Sequence, residues 1–549
     1  MQGADKQTID RRNVLRYTGA AAGTSTLLAL AGCVGGDDDN GDDDDDDDNG
    51  DDPDLEFPDD LTITLSQFPD VIDPLDHITG DYFDVFDHIY EPLFDFEPGE
   101  GIFPRVATDW EIQEGEGETH VTLRDDVMFH NGDNMMAEDV AWTINRTVDD
   151  DMGPVSDIGA FGLGSITGAE AVDDYVVSIQ YGAAPGLAEF EFGNYARAMN
   201  MNWAIDNYDA DETGEVVAGA DPEDFNGTGP LEVVDFTSGE EIVCEPFDDY
   251  WGDPLPFDSV TFNADGQDSG RVTSIETGET DLTINIPPED AGTINDTDHA
   301  EIRNITSFRT IFLPMKNTVE PFDSQEFRQA MNYAVDNAGI VETILSGFGA
   351  ASGQPVAPGI NGYNENVDPY PHDPELAEQL VEDSGYAGAE IELTYPQGRY
   401  LRDADIGEAV ADQIDQLDNV SCSGNGVEFP VVSDANSAGV DPDDIEHPFY
   451  MIGWGTITGD TDYGVQGFFS QEASGRTFDD AELSDAVHAS QAIEDPDERR
   501  EQLEALNEMA HEKAPWVFLH VQESIYGVNS AINWEPREDE TIYVWGMSE

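Results

Sequence analysis

Lysine is almost missing from this chain of 549 residues: it occurs at Lys6, Lys316 and Lys513 only. Basic residues number 20 against 121 acidic ones, a formal net charge of −101. A chain so poor in cations repels phosphate backbones and anionic headgroups, which excludes nucleic acid and acidic lipid surfaces as partners. Cysteine is as scarce, with 3 in all. They form no CxxC pair, so a disulfide framework and a thiolate zinc site are both excluded. The 10 histidines are scattered. Neither HExxH nor GxSxG occurs, so an exported hydrolase has no recognisable machinery. Paired carboxylates are so abundant that they carry no message about glycoside chemistry. Repeated β modules, expected of a surface-layer or adhesive protein, are absent too. No cofactor is called for.

What is there in excess is acid, and it is spread along the whole chain. It fills stretches that otherwise look globular, such as Asp221–Phe225 and Asp479–Asp485. At about 1 M salt the screening length falls to roughly 3 Å, so such self-repulsion is largely cancelled. Adaptation to molar salt, as in a halophilic archaeon, is the reading that explains acid outside the tails.

The N-terminal end reads as an address. Arg11 and Arg12 precede a short, weakly apolar run from Tyr17 to Ala31, which closes on Leu30-Ala31-Gly32-Cys33. Paired arginines before such a run suit a twin-arginine export signal. The run is too short and too polar for a membrane span, which needs roughly 20 apolar residues. Leu-Ala-Gly-Cys resembles a lipobox, which implies that Cys33 becomes the lipid-modified first residue of the mature protein. Residues 34–57 then form an Asp-rich tether with nothing to bury. Asp45, Asp47, Asn49, Gly50 and Glu56 fall at calcium-loop spacing. Pro53 interrupts them and no flanking helices are expected, so the match is one of composition.

The remaining residues are patterned as mixed α/β. Val121–Leu123 and Val127–Phe129 read as strand pieces running to a type I′ turn at Asn131-Gly132. Ser324 is placed to cap a helix with Phe327, Ala330, Met331 and Ala334 on one face. Asp373-Pro374 and Asp495-Pro496 start two more, the first stopped by Gly385 and the second by Pro515. Cys244 falls in a strand and Cys422 in a loop-like segment. A bridge between them stays open, with inert thiols as the expectation.

Several blocks in order resemble the extracytoplasmic solute-binding proteins of family 5, which serve ABC importers. They are Ile72-Asp73-Pro74-Leu75-Asp76, Tyr90-Glu91-Pro92-Leu93, the stretch Ala107–Val140, Gly227-Thr228-Gly229-Pro230, Asp249-Tyr250-Trp251-Gly252, Thr277–Leu282, and Pro321–Asp336. The resemblance implies an α/β, two-lobed, three-domain periplasmic-binding-protein-like fold. It places a first lobe in residues 58–90 and 216–305, with an extra subdomain in 91–215. Residues 306–515 form the second lobe, and 516–549 return to the first. It also implies partners: a peptide or other small solute, membrane permease subunits with a cytoplasmic ATPase, and a lipid anchor at the outer face of the membrane.

The ligand should lie between the lobes. Gly453-Trp454-Gly455, with Asp460 and Asp462 behind it, resembles the family segment whose tryptophan and acid line the cleft. The acid that peptide binders often carry three residues after the tryptophan is here Ile457. The carboxylate therefore comes from Asp460 or Asp462, or the ligand lacks a free amine, as an oligosaccharide does; a nickel chelate is a further class bound in this family. Arg399, in Tyr395-Pro396-Gln397-Gly398-Arg399, stands out among so few cations as a partner for a ligand carboxylate or for a neighbouring acid. Tyr395, Phe68 and Phe308 are further aromatic candidates, each equally suited to a core.

Overall fold

The structure is a computed structural model. It describes residues 57–68, 73, 80–97, 101–113, 117–148, 165–181, 191–207, 222–456, 458–473, 475–493 and 495–548. Arg11, Arg12, Cys33, residues 34–56 of the Asp-rich tether and Ile457 lie outside the described residues.

Strand β1 (Asp60–Leu65) opens the fold, and β2 (Phe94–Glu97) pairs with β3 (Gly101–Pro104) as a hairpin. Next, β4 (Ala107–Gln113), β5 (Glu118–Leu123), β6 (Ile166–Asp173) and β7 (Val176–Tyr181) form a sheet in the order β4-β5-β7-β6. The helix Ala137–Val148 covers it, and Val121, Phe129, Val140, Ile144 and Ile179 close a core of their own between them. The chain then adds β8 (Leu231–Thr237), β9 (Glu241–Pro246), β10 (Ser259–Ala264) and β11 (Leu282–Thr283) beside β1. Apolar residues of β1, β8, β9 and β10 face a second core, among them Leu61, Ile63, Leu231, Ile242 and Phe262.

The 15 residues of β12 (Ala300–Pro314) run antiparallel to β17 (Trp516–Asn529). The pairing is interrupted by a register shift between Thr306 and Thr310. The ribbon belongs to one nine-stranded sheet with β1: on one side of this shift β11 joins β17, and on the other β13 (Ala350–Ala351) joins β17 and β16 (Ile452–Gly455) joins β12. The separate pair β14 (Ala389–Pro396) and β15 (Val420–Val427) is parallel.

Three helices begin where the capping residues predict. The Ser324 hydroxyl accepts from Phe327 N, the Asp373 carboxylate from Leu376 N, and the Asp495 carboxylate from Asp497 N and Glu498 N. Gly385 ends the second helix at φ 85°, a left-handed conformation that glycine adopts without strain. Two local expectations fail. At Asn131-Gly132 only Gly132 takes a positive φ, 87°, whereas a type I′ turn needs it at both central residues. Cys422 lies in a strand, β15, because Gly424 and Gly426 leave room for the Tyr395 ring of β14; a Cβ on either would stand 3.0–3.1 Å from it. Cys244, buried in β9, and Cys422 are both free thiols.

Candidate functional site

Buried charge converges at the bulge of the β12–β17 ribbon. A bulge turns side chains out of the regular alternation. Phe308 and Arg309, both in it, go to different places. Phe308 packs among Val356, Ala357, Ile360 and Val521, and its amide donates to Glu538 O at 2.7 Å. Arg309 lines a cavity together with Gly80, Asp81 and Asp84 of the helix Gly80–Phe86, the Arg399-Tyr400 loop, Gln522 and Ser524 of β17, and Glu540.

Two ion pairs dominate this cavity. Arg309 donates through Nε to Glu540 Oε2 at 2.7 Å, and its Nη2 lies 2.5 Å from the same oxygen. Glu540 Oε1 accepts from Gln522 at 2.9 Å and Ser524 at 2.6 Å. Burial pushes the Glu540 carboxyl upward, but the charge and hydrogen bond of Arg309, with hydrogen bonds from Ser524 and Ser307, together outweigh it and hold the group below its ordinary value. The second pair, Arg399 Nη1 to Asp81 Oδ2, is looser at 3.3 Å. Among the described residues, Arg399 Nε and Asp81 Oδ2 are buried without a hydrogen-bond partner, which marks hydrogen-bonding capacity that these residues have not spent. Asp84 is pushed well above the carboxylate range by burial, with the neighbouring Asp81, Asp87 and Glu540 adding to the effect. The cavity offers only about 30 Å³ to water-sized groups. That holds one or two waters, against roughly 300–1,000 Å³ for a small-molecule site. A ligand enters only if the walls separate.

Trp454, in β16, pairs with Thr310 of β12, one residue from the Arg309–Gly455 pair. Its indole donates to Tyr463 O at 3.3 Å, and its half-buried ring meets Phe468 edge-on, centroids 5.0 Å apart. Gly453 before it is obligatory, because a Cβ there would come within 2.8 Å of both Ile311 and Tyr400. Tyr463 in turn stacks on Tyr195 at 6.0 Å.

Asp460 is spent internally. It caps the helix Thr461–Phe469, accepting from Asp462 N at 3.0 Å, and it also accepts from Asn361 at 2.9 Å. Both its oxygens accept from Arg499, one at 2.8 Å. Asp462 is buried with no such partner: among the described residues only Gln491 donates to its carboxylate, at 3.1 and 3.3 Å. Burial first, then the charge of Asp460, pushes it up to about 7. Glu191, held by Ser165, is pushed by burial to about 8 and feels Asp462 as a like charge.

Both acids therefore fold best as neutral carboxyls. Unfolded values are near 4. The folded chain then binds more protons between about pH 4 and 8, so this contribution to stability is present at low pH and lost as pH rises through about 7–8. Melting temperature at fixed salt is expected to fall from pH 5.5 to pH 8.5. A Glu191→Gln, Asp462→Asn double variant should flatten that slope; an unchanged slope would refute the assignment.

Tyr395 of β14 is buried between β15 and the helix Asp403–Asp415, over Gly407. Phe68 is half-buried against the core of β1. Neither lines the cavity. Asp81, Asp84, Arg309, Tyr400, Glu540 and Glu191 escaped sequence reasoning. For Arg309 a signal existed: one of 20 cations sits in a strand-like run without another charge, Phe308-Arg309-Thr310-Ile311-Phe312.

The sequence pattern of the family described as bacterial extracellular solute-binding proteins, family 5 (middle region), matches residues 101–476. The chain belongs to this family. This family 5 protein is 25% identical over 318 residues to heme-binding protein A of Haemophilus influenzae, covering 54% of the chain and 56% of that protein. It thus spans just over half the length of that relative. To the glutathione-binding protein GsiB of Escherichia coli it is 22% identical over 453 residues, covering 79% of the chain and 84% of the relative. The periplasmic binding protein DppA of Helicobacter pylori, solved with the peptide STSA, superposes with a TM-score of 0.79 at 21% identity. That match covers 89% of this chain and 97% of DppA. The family 5 protein thus has the α/β, two-lobed fold of periplasmic binding proteins, and the relatives named here bind solutes. Among the described residues no helix is long and apolar enough to cross a membrane.

Proposed function

We propose that this family 5 protein captures a di- or oligopeptide by closing its two lobes and hands it to the permease of an ABC importer, without catalysing a reaction. The lobes are residues 58–90 with 91–215 and 216–305, then 306–515, with 516–549 returning to the first; the crossing strands β12 and β17 form the hinge. The observation that carries the peptide reading is the loose Asp81–Arg399 pair, an acid and a guanidinium each with an unspent hydrogen-bonding atom in one cavity. Such a pair fits a ligand that offers an amine to one and a carboxylate to the other. Trp454 is the aromatic wall, and Asp462, neutral in the free protein, becomes a further acid for the ligand amine by giving up its proton when the amine arrives. Tyr395, Phe308, Phe68 and Asp460 shape and brace the site. A ligand held by both faces closes the lobes only through contacts that the open form lacks.

Mass spectrometry of what co-purifies from native extract names the ligand, and calorimetric titration then tests Trp454→Ala. Truncating an aromatic anchor commonly costs more than 2 kcal/mol, so affinity is expected to fall roughly 30-fold. The melt should move less than the about 3–5 kcal/mol loss of a core tryptophan. Undiminished affinity in a folded variant would remove Trp454 from the site.

The chain is proposed to work outside the cell, exported through Arg11-Arg12 and anchored by lipid on Cys33. Cys33→Ser is expected to move the protein from the membrane fraction to the medium. Arg11→Lys with Arg12→Lys should retain it in the cytoplasm. Wild-type fractionation of both variants would sink the targeting assignment.

A further inference from the structure

We propose that the ligand carries no net charge, and that Glu540 sets this requirement by permanently neutralising Arg309. The proposal rests on the reading of this cavity as the ligand site.

Among the described residues, the charges lining the cavity are those of Arg309, Arg399, Asp81, Asp84 and Glu540. Asp84 is held toward its neutral form by burial, which leaves two cations against two anions. The two pairs differ in whether a ligand can enter them. Glu540 has both oxygens committed, to Arg309 on one side and to Gln522 and Ser524 on the other. Its backbone is fixed as well. Glu540 sits at φ 66°, and its amide donates to Arg537 O at 3.0 Å. Arg537 is tied to Glu97 at 3.0 Å and to Phe96 O at 2.5 Å. A left-handed non-glycine residue persists only where its surroundings over-determine it. Glu540 is therefore a built-in counter-charge that no ligand displaces.

The Asp81–Arg399 pair is the opposite case: 3.3 Å apart and buried, with unsatisfied atoms on both residues. A ligand entering there meets one acid and one guanidinium, so it must bring one cationic and one anionic group, or neither. A net anion would need a third cation, and among the described residues none lines the cavity. Burying an unpaired charge is costly enough to suppress such ligands by about 10-fold or more.

The test uses the full chain, stripped of bound ligand in urea and refolded in molar KCl at pH 7.5. It is incubated with a pronase digest of casein, which supplies short peptides of every net charge. After washing, retained peptides are read by mass spectrometry. Net-neutral peptides are expected to exceed those of net charge −1 by about 10-fold relative to the input. Glu540→Gln should move the maximum to net −1, and Asp81→Asn should move it the same way should the first variant melt too low to assay. The Arg309→Gln, Glu540→Gln double variant should restore the neutral preference, which a merely structural ion pair would not do. Charge-blind retention by the wild type, or a folded Glu540→Gln protein that keeps its maximum at neutral, overturns the proposal while leaving peptide binding standing. Retention of no peptide at all overturns both.

Discussion

Moved from about 2 M KCl to about 0.1 M, the protein is expected to unfold, because the screening length grows from under 3 Å to about 10 Å. The distance that matters is the spacing of neighbours on a helix face, roughly 5–6 Å at i,i+4. Molar salt screens below that spacing and dilute buffer does not. The helix Pro496–Lys513 exposes Asp497 and Glu501, then Glu508 and Glu512, as like-charged i,i+4 pairs. The helix Pro374–Ser384 exposes Glu375, Glu382 and Asp383. Each like-charge pair costs about 0.2–0.5 kcal/mol when unscreened, so on the order of 20 such pairs cancel a typical stability of 5–15 kcal/mol. With a net charge of −101, that number is easily reached. The measurement is a melting temperature followed by circular dichroism across KCl from about 0.1 to 3 M. A steep rise is expected; a flat curve would remove molar-salt adaptation from the account.

The same acids made part of the fold legible. Asp373 and Asp495, like Ser324, announce helices because a cap works through atoms within three residues of itself. The α/β class and the family followed from short blocks of the same local kind. The site was legible only in residue type. Arg399 stood out as a scarce cation, yet its partner Asp81 lies 318 positions away, and Arg309 meets Glu540 across 231. No local pattern encodes a pairing set by the β12–β17 bulge. β15 was misread for a related reason. Its glycines signal a loop by propensity, and only the Tyr395 ring above them explains why a strand needs them there.

Arg499→Leu is expected to destabilise the protein by about 3–5 kcal/mol, because it leaves Asp460 buried without its counter-charge. Asp460 is 2% exposed and Arg499 is 6% exposed, so water does not replace the lost partner. Asn361 and the helix-capping amide of Asp462 still donate to Asp460, but neither carries charge. The loss should therefore be largely electrostatic. Adding Asp460→Asn to Arg499→Leu is expected to recover more than half of it, since asparagine keeps the cap and removes the orphaned charge. Urea unfolding at fixed molar KCl reads both variants, with the midpoint shifting and the slope unchanged. A single-variant loss under about 1 kcal/mol would mean that the pair contributes no more than an exposed one. The same series separates bracing from binding. An acid whose oxygens are held by Arg499 has none to give a ligand amine, so Arg499→Leu at a temperature where it stays folded should bind the co-purifying ligand as wild type does. A loss of affinity with the fold intact would return Asp460 to the list of residues that touch the ligand and take Asp462 and Asp81 off it as sufficient acids.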